Sequence, residues 1–184
     1  MDNTRDLQDK ECFERCQKGD GRACTEFIRQ YQDRVFRFIL RMTNCREDAL
    51  ELTQDTFIKA LRALPSWRPD AQFRTWLFSI ASNTAIDSLR RRKRTQQVPI
   101  DECEDIVDYR ANPHNQLEVV EQSRLLESAL RKLSDEWREI LLLREVEGLS
   151  YSQIADTLGI SEGTVKSRIA RARTGIMKEL KRKW

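Results

Sequence analysis

The sequence predicts an all-α protein of two small helical domains joined by an extended linker, the C-terminal domain being a helix-turn-helix. Three observations predict it. Apolar residues recur near a 3.6-residue period over most of the 184 residues, with strand-like alternation nearly absent. Gly (6) and Pro (4) are scarce and gather at a few breaks. Two basic blocks are held apart by an acid-rich stretch.

In order, the periodicity predicts helices over 8–18, 22–43, 46–64, 71–93, 117–132, 135–146, 151–158 and 162–181. Gly19-Asp20-Gly21 and Pro65-Ser66-Trp67-Arg68-Pro69 punctuate the first half. From Thr95 to Gln116 the chain carries Pro99, Pro113 and the acids Asp101, Glu102, Glu104, Asp105 and Asp108, the composition of an extended linker. The expected division is a domain over 1–94, an acidic linker over 95–117 and a second domain over 118–184.

Composition narrows the class. Charged residues make up 34% and mean hydropathy is −0.68. No apolar run approaches the roughly 18–20 residues of a membrane span. Met1 to Lys10 is charged and has no signal-peptide core, so a cytoplasmic location is expected. Net charge is only +3, but its distribution is uneven. Arg90-Arg91-Arg92-Lys93-Arg94 form one basic run, and a second block runs from Lys166 to Lys183. Two positive zones with a negative spacer suggest two contacts with a polyanion.

Five cysteines, Cys12, Cys16, Cys24, Cys45 and Cys103, form an odd set that argues against a disulfide framework. Cys12 and Cys16 could share a helix face, leaving a metal or redox site open beside ordinary half-buried thiols. There is no CxxC, and His114 is the single histidine, so no metal ligand set is assigned.

The helix over 46–64 is expected to bury Leu50, Phe57, Leu61 and Leu64. Leu52 would then stand exposed among Asp48, Glu51 and Asp55, a docking face for a basic surface or an isolated surface leucine. In the next helix Trp76, Ile80, Asn83 and Asp87 lie at i, i+4, i+7 and i+11 and lead into Arg90, Arg91 and Arg94. Leu77, Ala81 and Ala85 occupy a different face, so the Trp76–Asn83 stripe is read as partly exposed. An aromatic ring, an amide and a basic run suit an unstacked base and its backbone. Core packing of Trp76 is the competing reading.

The C-terminal pattern is the clearest. Ser150 with Gln153 matches a capping box, Gly159 suits a left-handed helix end, and Ser161 caps the last helix. There Val165, Ile169, Ala172 and Ile176 form one apolar stripe. The opposite face carries Lys166, Ser167, Ala170, Arg171, Thr174 and Lys178, flanked by Arg168 and Arg173. Small residues beside long cations permit close approach to a major groove, with Arg and Lys reaching base edges or phosphates.

The segments DALELTQDTFIKAL, FRTWLFSIASNTAIDSLRRRKR and GLSYSQIADTLGISEGTVKSRIARAR together resemble the extracytoplasmic-function class of bacterial sigma factors. The resemblance covers about residues 20 to 180. It implies that Asp48, Glu51, Leu52, Gln54 and Asp55 lie on the helix that docks on core RNA polymerase. Glu51 and Asp55 each stand where the family usually has the other acid. It implies that Trp67 to Phe73, with Trp76, Ile80 and Asn83, melt the −10 element and capture a flipped base, with Arg90, Arg91 and Arg94 along the backbone. Lys166, Ser167, Arg168, Ala170, Arg171, Arg173 and Thr174 would lie on the helix that reads the −35 element. Ser134 stands where the family often has proline, and can still cap the helix that follows. Promoter DNA, core polymerase and an anti-sigma factor, often membrane-bound, are the implied partners. No cofactor and no small-molecule substrate are implied.

Two other classes fit parts of the sequence. A stand-alone helix-turn-helix regulator leaves the acidic face at 51–55 and the linker unexplained. A DNA-processing enzyme would need a metal motif, a Gly-rich phosphate loop or a nucleophile–base pair, and none is found.

Overall fold

The computed structural model describes residues 11–67, 72–95 and 116–182, with the side chains of 116–120 left aside. The expected linker therefore lies mostly outside the described residues. Helix α1 covers 11–17, followed by α2 (Gly21–Thr43), α3 (Arg46–Ala63), a 3-10 turn at Leu64–Ser66 and α4 (Phe73–Thr95). The second half comprises α5 (Gln116–Arg131), α6 (Asp135–Leu141) running into a π turn (Leu142–Val146), α7 (Tyr151–Leu158) and α8 (Glu162–Lys181). Among the described residues there is no strand, as the periodicity predicts.

Local chemistry sets the ends. The Asp20 carboxylate accepts from the Arg22 and Ala23 amides and caps α2, while Arg15 pairs with it at 2.6 Å. Helix α2 stops at Asn44, whose left-handed backbone (φ 53°) a side-chain amide tolerates better than most. Ser134 occupies the cap position of α6, but its side chain makes no capping bond. Its carbonyl accepts from the Trp137 and Arg138 amides instead. The side-chain cap expected there is thus corrected.

The first module wraps α2, α3 and α4 around Val35, Phe38, Ile39, Met42, Ala49, Leu77, Phe78, Ala81 and Ala85. The second closes over Ile140, Leu142, Leu143, Leu149, Ile154, Val165, Ile169 and Ala172. Gly175 lets α8 sit closely on α6, since a Cβ there would stand 3.2 Å from the Trp137 ring. The two modules also pack on each other, α4 against α7 and α2 against α5 and α6.

The cysteine expectation needs correction. Cys16 and Cys24 are joined in a disulfide, because the turn at Gly19-Asp20 folds α1 back on α2 and brings their Cα atoms to 4.8 Å. Cys12 lies beside this pair, its Sγ 3.3 Å from the Ala23 carbonyl.

Candidate nucleic-acid interface

In the C-terminal motif the capping box is present in both directions. The Ser150 hydroxyl accepts from the Gln153 amide, and the Gln153 side chain accepts from the Ser150 amide. Gly159 ends α7 in the left-handed region (φ 63°), and Ser161 caps α8 at the Thr164 amide. These bonds fix a tight turn and hold α8 with Val165, Ile169 and Ala172 buried. Lys166, Ser167, Ala170, Arg171 and Thr174 then face outward. Arg168 and Arg173 are on this helix too, but both are engaged within the chain. Arg173 is gripped twice by Glu145, at 2.6 and 3.1 Å, and Arg168 lies 3.7 Å from Glu136. Arg168 and Arg173 flank the outward face as expected, each with an acid beside it, and Arg171 stands exposed between them.

In α4 the Trp76–Asn83 stripe behaves as the spacing requires. Trp76 and Ile80 are half-buried, and Asn83, Arg90, Arg91 and Arg94 are exposed. Trp67 and Phe73 differ from their expected role. They are 9% and 7% exposed and belong to an aromatic core centred on Phe13, with ring centroids 4.5 and 4.2 Å from that residue. Their surface is spent on packing, which leaves little of either ring accessible in this structure. Trp76 touches the same cluster, 5.8 Å from Phe13, so the core reading of this residue and the exposed one are each half right. Residues 68–71 lie outside the described part.

On α3 the acids are where the spacing puts them, and the leucine is not. Leu52 is buried at 4%, whereas Leu50 and Ile58 are exposed at 48% and 47%. Glu51 and Gln54 are exposed between them, with Asp48 and Asp55 half-buried. Asp48 holds Arg92 at 2.6 Å. The buried residues of α3 are Ala49, Leu52, Thr56, Phe57 and Ala60, so Phe57 is buried as expected, as is Leu64 just beyond the helix, while Leu50 is not. Weighting the large apolar residues finds Phe57 and Leu64 but exchanges Leu50 for Leu52. The small members of that face were the signal that finds it.

Several polar contacts join the two modules. The Ser82 hydroxyl of α4 donates to Glu139 of α6, and the Gln153 amide of α7 donates to Gln72 before α4. Arg34 pairs with Glu147 at 2.7 Å, Arg41 with Glu127 at 2.7 Å and Lys93 with Asp135 at 2.5 Å. Arg138, only 5% exposed, donates to the Met42 carbonyl across the boundary and to the Leu130, Arg131 and Leu133 carbonyls within its own module. Burial pushes the Glu139 and Glu147 carboxyls above the usual glutamate range. Hydrogen bonding from Ser82 opposes this at Glu139, and the charge of Arg34 opposes it at Glu147.

Two outward-facing helices, one with an aromatic–amide stripe and one with a small-and-basic face, define the class of two-module promoter-reading factors. Sigma-70 region 2 matches residues 27–95, and Sigma-70, region 4 matches residues 123–174. The RNA polymerase sigma-H factor of Pseudomonas aeruginosa is 36% identical, covering 94% of this chain and 94% of that protein. The ECF RNA polymerase sigma factor SigE of Mycolicibacterium smegmatis is 40% identical over 80% of this chain, which spans 58% of that protein. Among solved structures, the sigma factor RpoE of Bartonella quintana, in complex with the anti-sigma factor NepR, superposes with a TM-score of 0.68 at 27% identity. That match covers 85% of this chain and 96% of that one. The chain belongs to the extracytoplasmic-function family of RNA polymerase sigma factors.

Proposed function

We propose that this chain binds core RNA polymerase and directs promoter-specific initiation, with 1–94 acting as region 2, 95–117 as a tether and 118–184 as region 4. The observation that carries the reading is the α4 stripe, half-buried at Trp76 and Ile80 and exposed at Asn83, which opens directly into the basic run. A stand-alone regulator has no use for such a stripe. A single-stranded −10 element does, because ring stacking and amide hydrogen bonds offset a cost of a few kcal/mol for extruding a base.

Each surface then has one task. Helix α3 presents Leu50 and Ile58 with Glu51, Gln54 and Asp55 to a basic, partly apolar face of polymerase. Helix α8 reads −35 base edges with Arg171 and Lys166, Ser167 and Ala170 permitting close approach. Arg90, Arg91 and Arg94 contact phosphates, giving salt-dependent affinity. The chain itself performs no covalent chemistry and takes no cofactor. It acts in the cytoplasm, with an anti-sigma factor as its regulator.

Run-off transcription with core polymerase on candidate promoters tests this. Initiation at a defined start site that depends on added chain supports the proposal. Tight, specific binding to promoter duplex by the pure chain, with no effect on polymerase, supports a stand-alone regulator instead. Strand cleavage by the pure chain would support a DNA-processing enzyme.

A further inference from the structure

Three of the five cysteines gather where α1 turns into α2, and the promoter reading makes no use of them. Cys16 on α1 and Cys24 on α2 form a disulfide, and Cys12 stands one helical turn before Cys16. Cys16 is 3% exposed, whereas Cys24 is half-buried, so a small thiol meets the bond at the Cys24 sulfur first. The exposed cations Lys18 and Arg22 flank the Gly19-Asp20 turn beside it and favour a thiol that carries negative charge.

Packing seats α1 even without this bond. Phe13 is fully buried against Phe27, Trp67 and Phe73, and the Gln17 amide donates to the Leu64 and Trp67 carbonyls at 3.2 and 3.3 Å. Domains that depend on disulfides are small secreted ones with thin cores, whereas a disulfide in a reducing compartment opens and closes with the redox state. The bond tightens a seat that is otherwise weakly held, because the described part of α1 is about two turns, too short a helix to persist alone. The same two turns carry Phe13 and Gln17. What fixes α1 therefore fixes the packing behind Trp76, at the head of the −10 stripe and 5.8 Å from the Phe13 ring.

We propose that Cys16 and Cys24 are a thiol–disulfide exchange site, which passes the thiol–disulfide balance of the cytoplasm to the −10 face through α1. This rests on the proposed action in the cytoplasm and on the reading of α4 as that face. In the reducing direction, the thiolate of a small cellular thiol attacks Cys24 Sγ. The S–S bond breaks, and Cys16 leaves as a thiolate that takes up a proton. A second small thiolate attacks the mixed disulfide at its non-protein sulfur, and Cys24 leaves and is protonated in turn. Two small thiols are thereby oxidised to one small disulfide, while the protein disulfide is reduced to two thiols. The reverse sequence, with the small disulfide as oxidant, closes the bond. The reduced chain keeps its fold but holds α1, and the packing behind Trp76, less firmly.

The test equilibrates the full chain with mixtures of reduced and oxidised glutathione, then traps the thiols and maps them by mass spectrometry. The Cys16–Cys24 bond should open in excess reduced glutathione without denaturant and re-form in excess oxidised glutathione. Reduction should lower the melting temperature by about 5–10 °C, the effect of opening a loop of this size in a chain of this length. Hydrogen exchange over 64–67 and 73–77 should quicken, and permanganate reactivity of −10 DNA in the holoenzyme should fall several-fold. Cys24→Ser should match the reduced wild type in these measurements and ignore the glutathione ratio, which separates the effect from any on polymerase. The wild-type titration itself needs no substitution. A bond that survives excess reduced glutathione in the native chain, thiols that never pair in oxidised glutathione, or hydrogen exchange and −10 reactivity indifferent to the bond overturns the proposal. If wild type directs no promoter-specific transcription in either state, the promoter reading fails, while trapping and hydrogen exchange still report the site.

Discussion

The hydroxyl of Ser82, in the middle of the helix that carries the −10 stripe, donates to the buried carboxylate of Glu139 on the scaffold helix of the other module. Both residues are nearly inaccessible, at 1% and 7% exposure. The bond therefore exists only when the modules are together, and it compensates part of the cost of burying an acid.

Ser82→Ala should remove that compensation and nothing else on the −10 face. Leaving a buried carboxylate short of a donor costs about 1–3 kcal/mol, more for a charged group. The loss should appear as a lower urea midpoint for the closed chain, with far-ultraviolet circular dichroism unchanged. An unchanged midpoint would mean that Glu139 finds another donor.

The pH dependence follows from the same group and its partner in position. Glu139 and Glu147 have raised values when buried, with desolvation the main cause, so the closed form binds protons more readily than a form in which they are solvated. Their contribution to closure is intact below the ordinary glutamate range and declines as pH rises through the raised values. Scattering at successively higher pH, starting from the ordinary glutamate range, should show the chain expanding. Asp20 behaves oppositely: Arg15, then the Ala23 amide, hold its carboxyl below the usual range, so its capping contribution is lost as pH falls through that lowered value.

Leu50 and Leu52 are two residues apart and should fail in different ways. Leu50→Asp or Ile58→Asp should weaken core polymerase binding without lowering stability, because both side chains face solvent. Leu52→Ala should cost about 2–5 kcal/mol of stability, because it empties core volume. Polymerase pull-down beside thermal melting distinguishes the two. Loss of docking in a fully stable Leu52→Ala chain would contradict the assignment.

Phe13 is the hub of the aromatic cluster that anchors Trp67, Phe73 and Trp76. Phe13→Ala should destabilise the first module by about 3–5 kcal/mol. It should also impair promoter opening through misplacement of Trp76 and the start of α4. A melting temperature equal to wild type would show that the cluster is not structural.

The C-terminal motif was readable almost bond for bond from sequence, because caps and a left-handed glycine are local chemistry. Ser150, Gln153, Gly159 and Ser161 each do what their residue type does best. Helix boundaries elsewhere came within two or so residues for the same reason. Orientation of α3 was only partly readable: Phe57 is buried as its size predicts, but the rest of the face is Leu52 with Ala49, Thr56 and Ala60, which hydrophobicity ranks low and close packing favours. The anchoring of Trp67 and Phe73 depends on Phe13 arriving from a distant helix, and no local pattern announces that. Contacts between modules, such as Arg34 with Glu147, join residues on opposite sides of the acidic stretch and leave no periodic trace.

The most direct measurement separates opening from upstream recognition in a reconstituted holoenzyme. Permanganate footprinting of the −10 region and run-off yield are followed for Asn83→Ala and Arg171→Ala on one promoter and on the same promoter with its −35 element replaced. Asn83→Ala should lower −10 reactivity on both templates. Arg171→Ala should lose about 1–3 kcal/mol of binding, roughly 5- to 150-fold, on the intact template and little on the one already lacking its −35 element. Equal defects from both substitutions on both templates, or none, would contradict a division of labour between α4 and α8.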